Sequence, residues 1–346
     1  MVERSVLESE ALEVSALAAQ QFERLARLLP SLAERLDRLS PALVATIARG
    51  SSDNAAAFGS YLLGLRLGLP AASLPPSLAS VYGRRLRLER ALVLAVSQSG
   101  ASPDLSAAVA SARAGGAFAI GVLNEEDSAL AREMDAKIAI GAGAERAVAA
   151  TKSFVLSLTA LVHLIAAWTR DAALSGALQA LPETLAQSGN ADWSAAIRLL
   201  VQTQGAFVVG RGPTLPVARE FALKLKEVGG IHAEAVSAAE LLHGPISIAS
   251  PRLPAIAIAG DESTRATLNA AVARLRAAGA PVVLLACAPE DITGGTGVIA
   301  LPMAPEPLLQ PIVTIQAAYP FFAEVARARG RDPDHPPQLQ KVTRTL

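Results

Sequence analysis

Residues 42–50, ALVATIARG, decide the fold that this sequence predicts. Small and β-branched residues in succession are typical of a short strand buried on both faces, and the final Arg-Gly ends it in a turn. Residues 52–67 then have the composition of a helix, residues 92–96 form the next buried strand, and a helix with proline in its first turn follows over 103–114. This alternation is typical of a parallel sheet covered by helices on both faces.

The second half of the chain repeats this arrangement. Arg49 and Arg211 each follow an apolar strand and precede a glycine, and the interval between them also separates residues 94–96 from residues 256–258. Several matches in register indicate a duplicated α/β unit. We therefore predict an α/β fold of two tandem three-layer αβα sandwiches, each with a parallel sheet.

The predicted domain boundary lies in a mixed connection over residues 170–192. Residues 1–192 comprise N-terminal helices and the first sandwich, and residues 193–346 comprise the second sandwich and a C-terminal tail. A proline is expected to end the opening helix over residues 3–29. The tail, from residue 331 onward, is rich in proline and is not expected to be regular helix.

Composition and charge exclude several classes of protein. The 346 residues suit two domains, and 51% hydrophobic against 18% charged residues is globular rather than disordered. Equal numbers of basic and acidic side chains, 31 each, give no basic surface for nucleic acid. Cys287 is the only cysteine, so neither a disulfide framework nor a thiolate metal cluster is available.

The sequence also predicts a soluble, cytoplasmic protein without a membrane segment. Its acidic N-terminus lacks the charged-then-apolar pattern of a signal peptide. The longest apolar run, residues 154–168, contains His163 and is shorter than the roughly 20 residues that a bilayer span requires. A helix buried in the protein explains this run better.

Charged and imidazole side chains concentrate in residues 221–245, FALKLKEVGGIHAEAVSAAELLHGP. Inside an apolar protein each of these charges needs a partner, because burying an unpaired charge is expensive. A solvated helix face, with Lys224 and Glu227 at helical spacing, is the simpler interpretation. The glycine pair, the two histidines and the His-Gly-Pro turn that follow favour an active-site segment, in which His232 is expected to be structural.

Two polar turns follow strands of the first half, and each opens a helix: residues 50–54, GSSDN, and residues 97–103, SQSGASP. In open α/β sheets, ligands bind at the carboxyl ends of the strands. Hydroxyl groups, backbone N–H groups and a helix N-terminus together can hold a phosphate. A single serine-rich turn is usually only a helix cap, worth about 1 kcal/mol. Two such turns at neighbouring strand ends favour a phosphate site.

Neither a cofactor nor a metal is indicated by the motifs. Gly210-Arg211-Gly212 begins like a dinucleotide-binding motif, but Leu215 occupies the position of its third glycine, and no P-loop Gly-Lys-Ser/Thr occurs. The histidines and carboxylates of residues 221–245 lack the spacing of an HExxH zinc site. We therefore expect no cofactor and no metal.

Several motifs resemble the sugar-isomerase (SIS) domain family: GSS, SQSGAS, AVAATKSF, ALKLKE, IHAEAVSAAELLHGP and DPDHPPQLQKVT. They occur in order over nearly the whole chain. Within the family they resemble the isomerase half of glucosamine-6-phosphate synthase and the stand-alone glucosamine-6-phosphate deaminases of the SIS type. The resemblance implies two αβα sandwich domains with parallel sheets, in agreement with the prediction above.

The resemblance also implies which residues bind a phosphorylated sugar. The side chains of the two polar turns look like the contacts to the phosphate. Those similar to the phosphate cradle are Ser97, Gln98, Ser99 and Ser102, and the other turn adds Ser51 and Ser52. Val148, in AVAATK, resembles a backbone contact to the sugar.

Four residues are similar to the family's catalytic set. Glu227 resembles the carboxylate that moves a proton between C1 and C2 of the open-chain sugar. His243 resembles the ring-opening histidine, which enters from the other subunit of a homodimer. Lys341 matches the tail lysine that meets the sugar carbonyl, and Lys224 resembles a supporting cation beside Glu227. These residue types suit proton transfer and carbonyl activation at neutral pH.

The sequence departs from the synthase pattern. No glutaminase domain or N-terminal cysteine nucleophile is present, so we expect no use of glutamine. Ala101 stands where the synthase loop has Glu, and Arg49 where it has Cys. The favoured activity is the conversion of glucosamine 6-phosphate and water to fructose 6-phosphate and ammonia. The alternatives are another phosphosugar isomerase of this family, a fructosamine-phosphate deglycase, and a non-catalytic phosphosugar sensor.

Overall fold

The computed structural model describes residues 4–287 and 297–341. Two compact units are present, each built from separate stretches of chain. We call Ala16–Glu145, Lys152–Gln179 and Gln340–Leu346 the N-terminal unit, and Met1–Ser15, Arg146–Thr151 and Ala180–Leu339 the C-terminal unit. The boundaries between them fall partly inside helices α1 (Val6–Leu39) and α7 (Ala172–Ser188). The division after residue 192 stays a prediction.

The N-terminal unit contains a five-stranded sheet in the order β2-β1-β3-β4-β5, with every strand pair parallel. Its strands are β1 Leu43–Ile47, β2 Ala71–Ser73, β3 Ala91–Ser97, β4 Phe118–Leu123 and β5 Ala136–Ala139. Its further helices are α2 Gly50–Leu67, α3 Ser77–Ser80, α4 Pro103–Ala114, α5 Ala129–Arg132 and α6 Lys152–Thr169. Every residue of β3 is buried, as a strand covered by helices on both faces requires.

The C-terminal unit contains a second five-stranded parallel sheet in the order β7-β6-β8-β9-β10. Its strands are β6 Gly205–Gly210, β7 His232–Ser237, β8 Ala255–Ile258, β9 Val282–Ala286 and β10 Gly297–Ala300. Its further helices are α8 Ser194–Leu200, α9 Thr214–Glu227, α10 Ala238–His243, α11 Glu262–Ala277 and α12 Gln310–Ala328, with 3₁₀ turns at Pro245–Ile248 and Pro307–Leu309.

The two sheets have the same topology. In each, the second strand in sequence lies on one edge, the first lies beside it, and the third, fourth and fifth follow in order. The predicted duplication and the predicted α/β class with parallel sheets are therefore confirmed. Because the fold is repeated, the two copies can be compared position by position.

Helix α6 is the apolar run that the sequence assigned to the interior. By length and composition alone it could cross a membrane, but 89% of it is buried within the protein. His163, in its middle, is buried, and burial, with a smaller effect of Arg24, lowers its pKa to about 4. The imidazole is therefore neutral at neutral pH, which makes its burial affordable.

The opening helix does not end at its proline, so that prediction was wrong. Helix α1 continues through Pro30, which is exposed to solvent. Proline inside a helix costs roughly 3 kcal/mol. The leucines on the opposite face are buried before and after it, and each contributes about 1.5–3 kcal/mol. They are Leu25, Leu29, Leu32 and Leu36. Packing of this face outweighs the lost hydrogen bond.

The predicted connection over residues 170–192 contains a helix that the sequence analysis did not assign. Helix α7 covers Ala172–Ser188 and includes Pro182. Its leucines at helical spacing are buried, namely Leu174, Leu178, Leu181 and Leu185. The mixed composition concealed an amphipathic helix, because its buried apolar face is a narrow stripe that consists mainly of these leucines.

The C-terminal tail contains no helix in its described part, as predicted. Asp334 nevertheless orders it, because its carboxylate accepts hydrogen bonds from the backbone N–H groups of Val6 (2.8 Å) and Leu7 (2.9 Å). These are unpaired donors in the first turn of α1. The negative charge also faces the positive end of that helix.

Candidate functional site

The serine-rich turn after β3 is held by its own hydroxyl groups. Ser97 Oγ accepts a hydrogen bond from the backbone N–H of Gly100 at 3.0 Å, and Ser99 Oγ accepts one from the N–H of Ala101 at 3.3 Å. Ser97 is buried, whereas Gln98, Ser99 and Ser102 are half-buried. Each accepting hydroxyl still has a proton to donate. The turn is thus ordered before any ligand arrives.

Gly100 is required by the shape of this turn. Its φ is +58°, and a Cβ at this position would lie 2.0 Å from Oγ of Ser128. Its carbonyl oxygen accepts a hydrogen bond from the N–H of Leu130 at 3.1 Å. The turn therefore packs directly against the segment that begins α5, and no side chain fits between them.

We expect Gly100→Ala to destabilise the protein more than Gly83→Ala does. Both glycines have φ of +58°, but a Cβ on Gly83 meets nothing within 4 Å. The positive φ costs about 1–2 kcal/mol in each variant. The clash with Ser128 adds about 1–3 kcal/mol in Gly100→Ala alone. Urea denaturation measures the unfolding free energy of both variants. An equal decrease in the two would show that the turn accommodates a Cβ at Gly100 without further loss of stability.

The second polar turn follows β1, the strand next to β3. Ser51 and Ser52 are half-buried in the first turn of α2. Strand register pairs Ile47 with Ala95, so the residues that follow each strand lie at the same level of the sheet. The structure therefore brings the two predicted serine turns to neighbouring strand ends of the N-terminal unit.

An ion pair that the sequence did not predict joins these two turns. Arg49, just before the second turn, donates through Nε and Nη2 to Oδ2 of Asp104, at 3.1 and 2.7 Å. Asp104 lies in the first turn of α4, and its side chain is fully buried. The two residues are 55 positions apart, so only a strand-order prediction would suggest the pair.

Lys224 and its carboxylates form the charged cluster of the C-terminal unit. Lys224 is fully buried in α9, and its Nζ lies 3.2 Å from Oε1 of Glu220 and 2.5 Å from Oε2 of Glu227. Glu220 is fully buried, whereas 24% of the Glu227 side chain is exposed. Glu220 was missed in the sequence, although its i, i+4 spacing to Lys224 was the available signal.

The charge state of this cluster follows from its partners. Burial by itself disfavours the Lys224 ammonium, but the charges of Glu220 and Glu227 outweigh it and raise the pKa of Lys224 well above its usual value. The lysine is therefore a permanent cation here. Its ion pair orients the Glu227 carboxylate, but the lysine cannot act as a neutral amine nucleophile.

We expect Lys224→Met to cost about 3–5 kcal/mol of unfolding free energy, because it leaves buried carboxylate without a counter-charge. Lys226→Met is the matched control, since Lys226 lies on the same helix and is exposed. That substitution should change stability by no more than about 0.5 kcal/mol. Urea denaturation at neutral pH compares them. A Lys224→Met protein as stable as the control would contradict the counter-charge role.

The rest of the polar segment is a strand and a short helix. His232 begins β7 and is exposed, so the structural role expected for it has no buried contact to support it. His243 ends α10 and is also exposed. Across residues 4–287 and 297–341, no three His, Cys, Asp or Glu side chains come together as a metal site would need.

Lys341, from the tail, is paired in the N-terminal unit. Its Nζ lies 2.6 Å from Oε2 of Glu145, whose side chain is fully buried. Glu145 also accepts hydrogen bonds from the N–H (2.9 Å) and Oγ (2.8 Å) of Ser153. The sequence did not identify Glu145 as a partner, because it lies 196 positions from the lysine.

Val148 is half-buried in an irregular segment of the C-terminal unit. The segment is held by Glu10, whose carboxylate accepts hydrogen bonds from the backbone N–H groups of Arg146 and Ala147. Glu227, Lys224, His243 and Val148 therefore belong to one unit. The serines of both turns, Gln98 and Lys341 belong to the other.

Two parallel five-stranded sheets of identical topology define a duplicated α/β protein. The SIS domain model matches residues 43–167 and again residues 199–324, which together are more than half of the chain. The chain therefore belongs to the SIS domain family, and the resemblance seen in its motifs is confirmed.

Known relatives are of the phosphosugar-isomerase type. The crystal structure of a candidate phosphosugar isomerase from Silicibacter pomeroyi DSS-3 is 39% identical, has a TM-score of 0.87, and covers 96% of this chain and 100% of its own. The isomerizing glutamine–fructose-6-phosphate aminotransferase of Treponema pallidum is 35% identical over 297 residues, 76% of this chain and 46% of its own length. This chain thus spans about half the length of that relative.

The fold is also that of glucosamine-6-phosphate deaminase from Thermotoga maritima. That structure superimposes with a TM-score of 0.75 at 21% identity, covering 99% of this chain and 100% of its own. At this identity the likeness shows the fold alone.

Proposed function

We propose that this chain is a phosphosugar deaminase-isomerase that converts glucosamine 6-phosphate and water to fructose 6-phosphate and ammonia. The observation that carries the proposal is the Lys224–Glu227 pair at 2.5 Å, in which a permanent buried cation holds a partly exposed carboxylate. A base that must take a proton and return it has to be both ionised and reachable. Membership of the SIS domain family and the name of the 39% identical Silicibacter pomeroyi neighbour, a candidate phosphosugar isomerase, support a phosphorylated sugar as the substrate.

The serine turns of the N-terminal unit are proposed to bind the phosphate. Hydroxyl and backbone N–H donors suit the three oxygens of a phosphate ester. The turn after β3 is ordered by its own hydrogen bonds, so binding there loses little conformational entropy. The proposed contacts are Ser51, Ser52, Ser97, Gln98, Ser99 and Ser102, with Val148 contacting the sugar through its backbone.

The proposed reaction begins with ring opening. His243 takes the proton of the C1 hydroxyl and returns a proton to the ring oxygen, which releases the aldehyde. Lys341 then donates a hydrogen bond to the C1 oxygen and makes the C2 proton more acidic. Its pairing with Glu145 supports this role, because the pair keeps the ammonium in a defined place.

Glu227 carries out the proton transfer. It removes the proton from C2 while the C1 oxygen takes a proton from solvent, which gives an enolamine. It then delivers its proton to C1 while the nitrogen gives up a proton to solvent, which leaves an imine at C2. Water adds to the C2 carbon, and the carbon–nitrogen bond breaks to release ammonia and the C2 ketone. Lys224 holds the Glu227 carboxylate in place through their ion pair.

The central experiment measures ammonia release from glucosamine 6-phosphate. We expect release by the wild-type protein and a fall in kcat of at least about 100-fold in Glu227→Gln, the usual effect of losing a general base. Glu183→Gln, on the exposed face of α7, is the control and should keep its activity. Ammonia release that survives Glu227→Gln would remove this residue from the proton transfer.

The same assay separates the alternatives. Interconversion of ketose and aldose phosphates without ammonia would indicate a plain phosphosugar isomerase. Cleavage of fructosamine phosphates would indicate a deglycase. Binding of all these compounds without turnover would indicate a phosphosugar sensor.

We further propose a homodimer in which His243 serves the site of the partner subunit. The exposure of His243 at the end of α10 supports this role, because only a side chain on the surface of its own subunit can contact a second subunit. Co-expressed Glu227→Gln and His243→Asn chains test it. Each variant alone should be inactive, whereas a mixed dimer regains one wild-type site.

Random pairing of the two chains makes about half of the dimers mixed, so close to a quarter of wild-type activity should return. A co-expressed sample as inactive as the separate variants would show that His243 acts within its own subunit. Cytoplasmic location and the lack of nucleic-acid or membrane partners stay predictions from the sequence.

A further inference from the structure

The ion pair between the two serine turns has no part in the function proposed so far. We propose that Arg49 is a further substrate-binding residue, whose guanidinium, anchored on Asp104, donates hydrogen bonds to the phosphate group of the substrate. This inference rests on the proposed function, because it assigns a phosphorylated ligand to the two turns. Neither residue belongs to the motifs that suggested the phosphate site.

The geometry of the pair leaves one edge of the guanidinium for a ligand. Nε and Nη2 of Arg49 are both used by Asp104, at 3.1 and 2.7 Å. Among the residues that the structure describes, Nη1 donates to no protein acceptor. Half of the side chain, 51%, is exposed, whereas that of Asp104 is fully buried. The anchor is inside the protein and the remaining donors face solvent.

Asp104 is itself fixed, which makes it a rigid anchor. It lies in the first turn of α4, and its Oδ1 accepts a hydrogen bond from the backbone N–H of Leu105 at 2.9 Å. A guanidinium held along one edge loses little further freedom when its other edge binds an anion. Its planar set of donors also matches the oxygens of a phosphate.

The position of Arg49 places it beside both serine turns. It immediately precedes Gly50 and Ser51, and the pairing of Ile47 with Ala95 puts Arg49 at the level of Ser97 on the neighbouring strand. Asp104 follows Ser102 in the other turn by two positions. The pair therefore lies between the two groups of hydroxyls that are proposed to hold the phosphate.

The duplicated fold supplies an internal comparison. Arg211 occupies the matching position after β6 of the C-terminal unit, where no serine-rich turn follows β8. Its Nη1 donates to Oγ of Ser237 at 3.2 Å, and no carboxylate pairs with it in the described part of the chain. The buried carboxylate anchor therefore occurs in the copy that has the hydroxyls.

The competing explanation is that the pair only ties β1 to α4. Removing Arg49 alone would leave a buried, unpaired Asp104, which is strongly destabilising whatever the arginine does. The test therefore uses the double variant Arg49→Met/Asp104→Asn, which removes both charges and keeps the side-chain volumes similar. Asp104→Asn alone removes the anchor but leaves the guanidinium.

The matched control is a second arginine–aspartate pair in the same unit. Arg113 donates through Nε and Nη2 to Asp135, at 3.2 and 2.6 Å, and lies in the last turn of α4, at the opposite end from Asp104. Arg113→Met/Asp135→Asn removes a pair that uses the same two guanidinium nitrogens, far along that helix. Calorimetric titration with fructose 6-phosphate, in the absence of ammonia, then gives Kd for each protein, and turnover of glucosamine 6-phosphate gives its KM.

We expect Kd to rise by at least about tenfold in Arg49→Met/Asp104→Asn, the value of one hydrogen bond to a charged group, and to stay unchanged in the control. Asp104→Asn should lose less, because its guanidinium keeps the charge. In turnover the loss should appear in KM with kcat little changed, because the phosphate does not react.

Two results would overturn the inference. One is a Kd of the double variant equal to that of the control. The other is an equal loss in Asp104→Asn and the double variant, since the guanidinium would then contribute nothing beyond tying the turns together. A wild-type protein that binds neither sugar phosphate would overturn the proposed function itself, so the two failures are distinguishable.

Discussion

The buried charge of Lys224 is the constraint on which the polar part of the C-terminal unit depends. An ammonium can be enclosed in this apolar protein only because Glu220 and Glu227 lie within ion-pair distance of it. Helix α9 supplies both carboxylates from its own neighbouring turns, so no other element has to provide a counter-charge. The buried carboxylate of Glu220 offsets the charge of the lysine. The partly exposed carboxylate of Glu227 is held in place and remains accessible to solvent.

The serine turn of the N-terminal unit is ordered while several of its polar side chains stay partly exposed. Ser97 and Ser99 accept hydrogen bonds from the backbone of the same turn, and Gly100 allows it to pack closely against Ser128. Order therefore comes from the loop itself and from one close contact. Such a turn offers donors to a ligand at low entropic cost.

Duplication explains how one fold contains both the lysine–carboxylate cluster and the serine turn. The two sheets have the same strand order, and an arginine follows the first strand of each copy. The copy with the hydroxyls anchors its arginine on a buried aspartate, and the other copy has the lysine–carboxylate cluster in the helix after its first strand. The proposed function accordingly assigns phosphate binding to one copy and proton transfer to the other.

Sequence alone determined the buried inner strands, the duplication, the family and the polar turns, because buried parallel strands and glycine-bounded turns leave local patterns. It did not identify the edge strands β2, β7 and β10, whose residues are less uniformly apolar. Spacing also placed Glu227 one helical turn from Lys224. The course of α1 through Pro30 could not be predicted, since packing of its buried face decides it. Tertiary structure alone paired Arg49 with Asp104, and Lys341 with Glu145. Those partners are far apart in the chain, and only the order of the strands and the path of the tail bring their charges together.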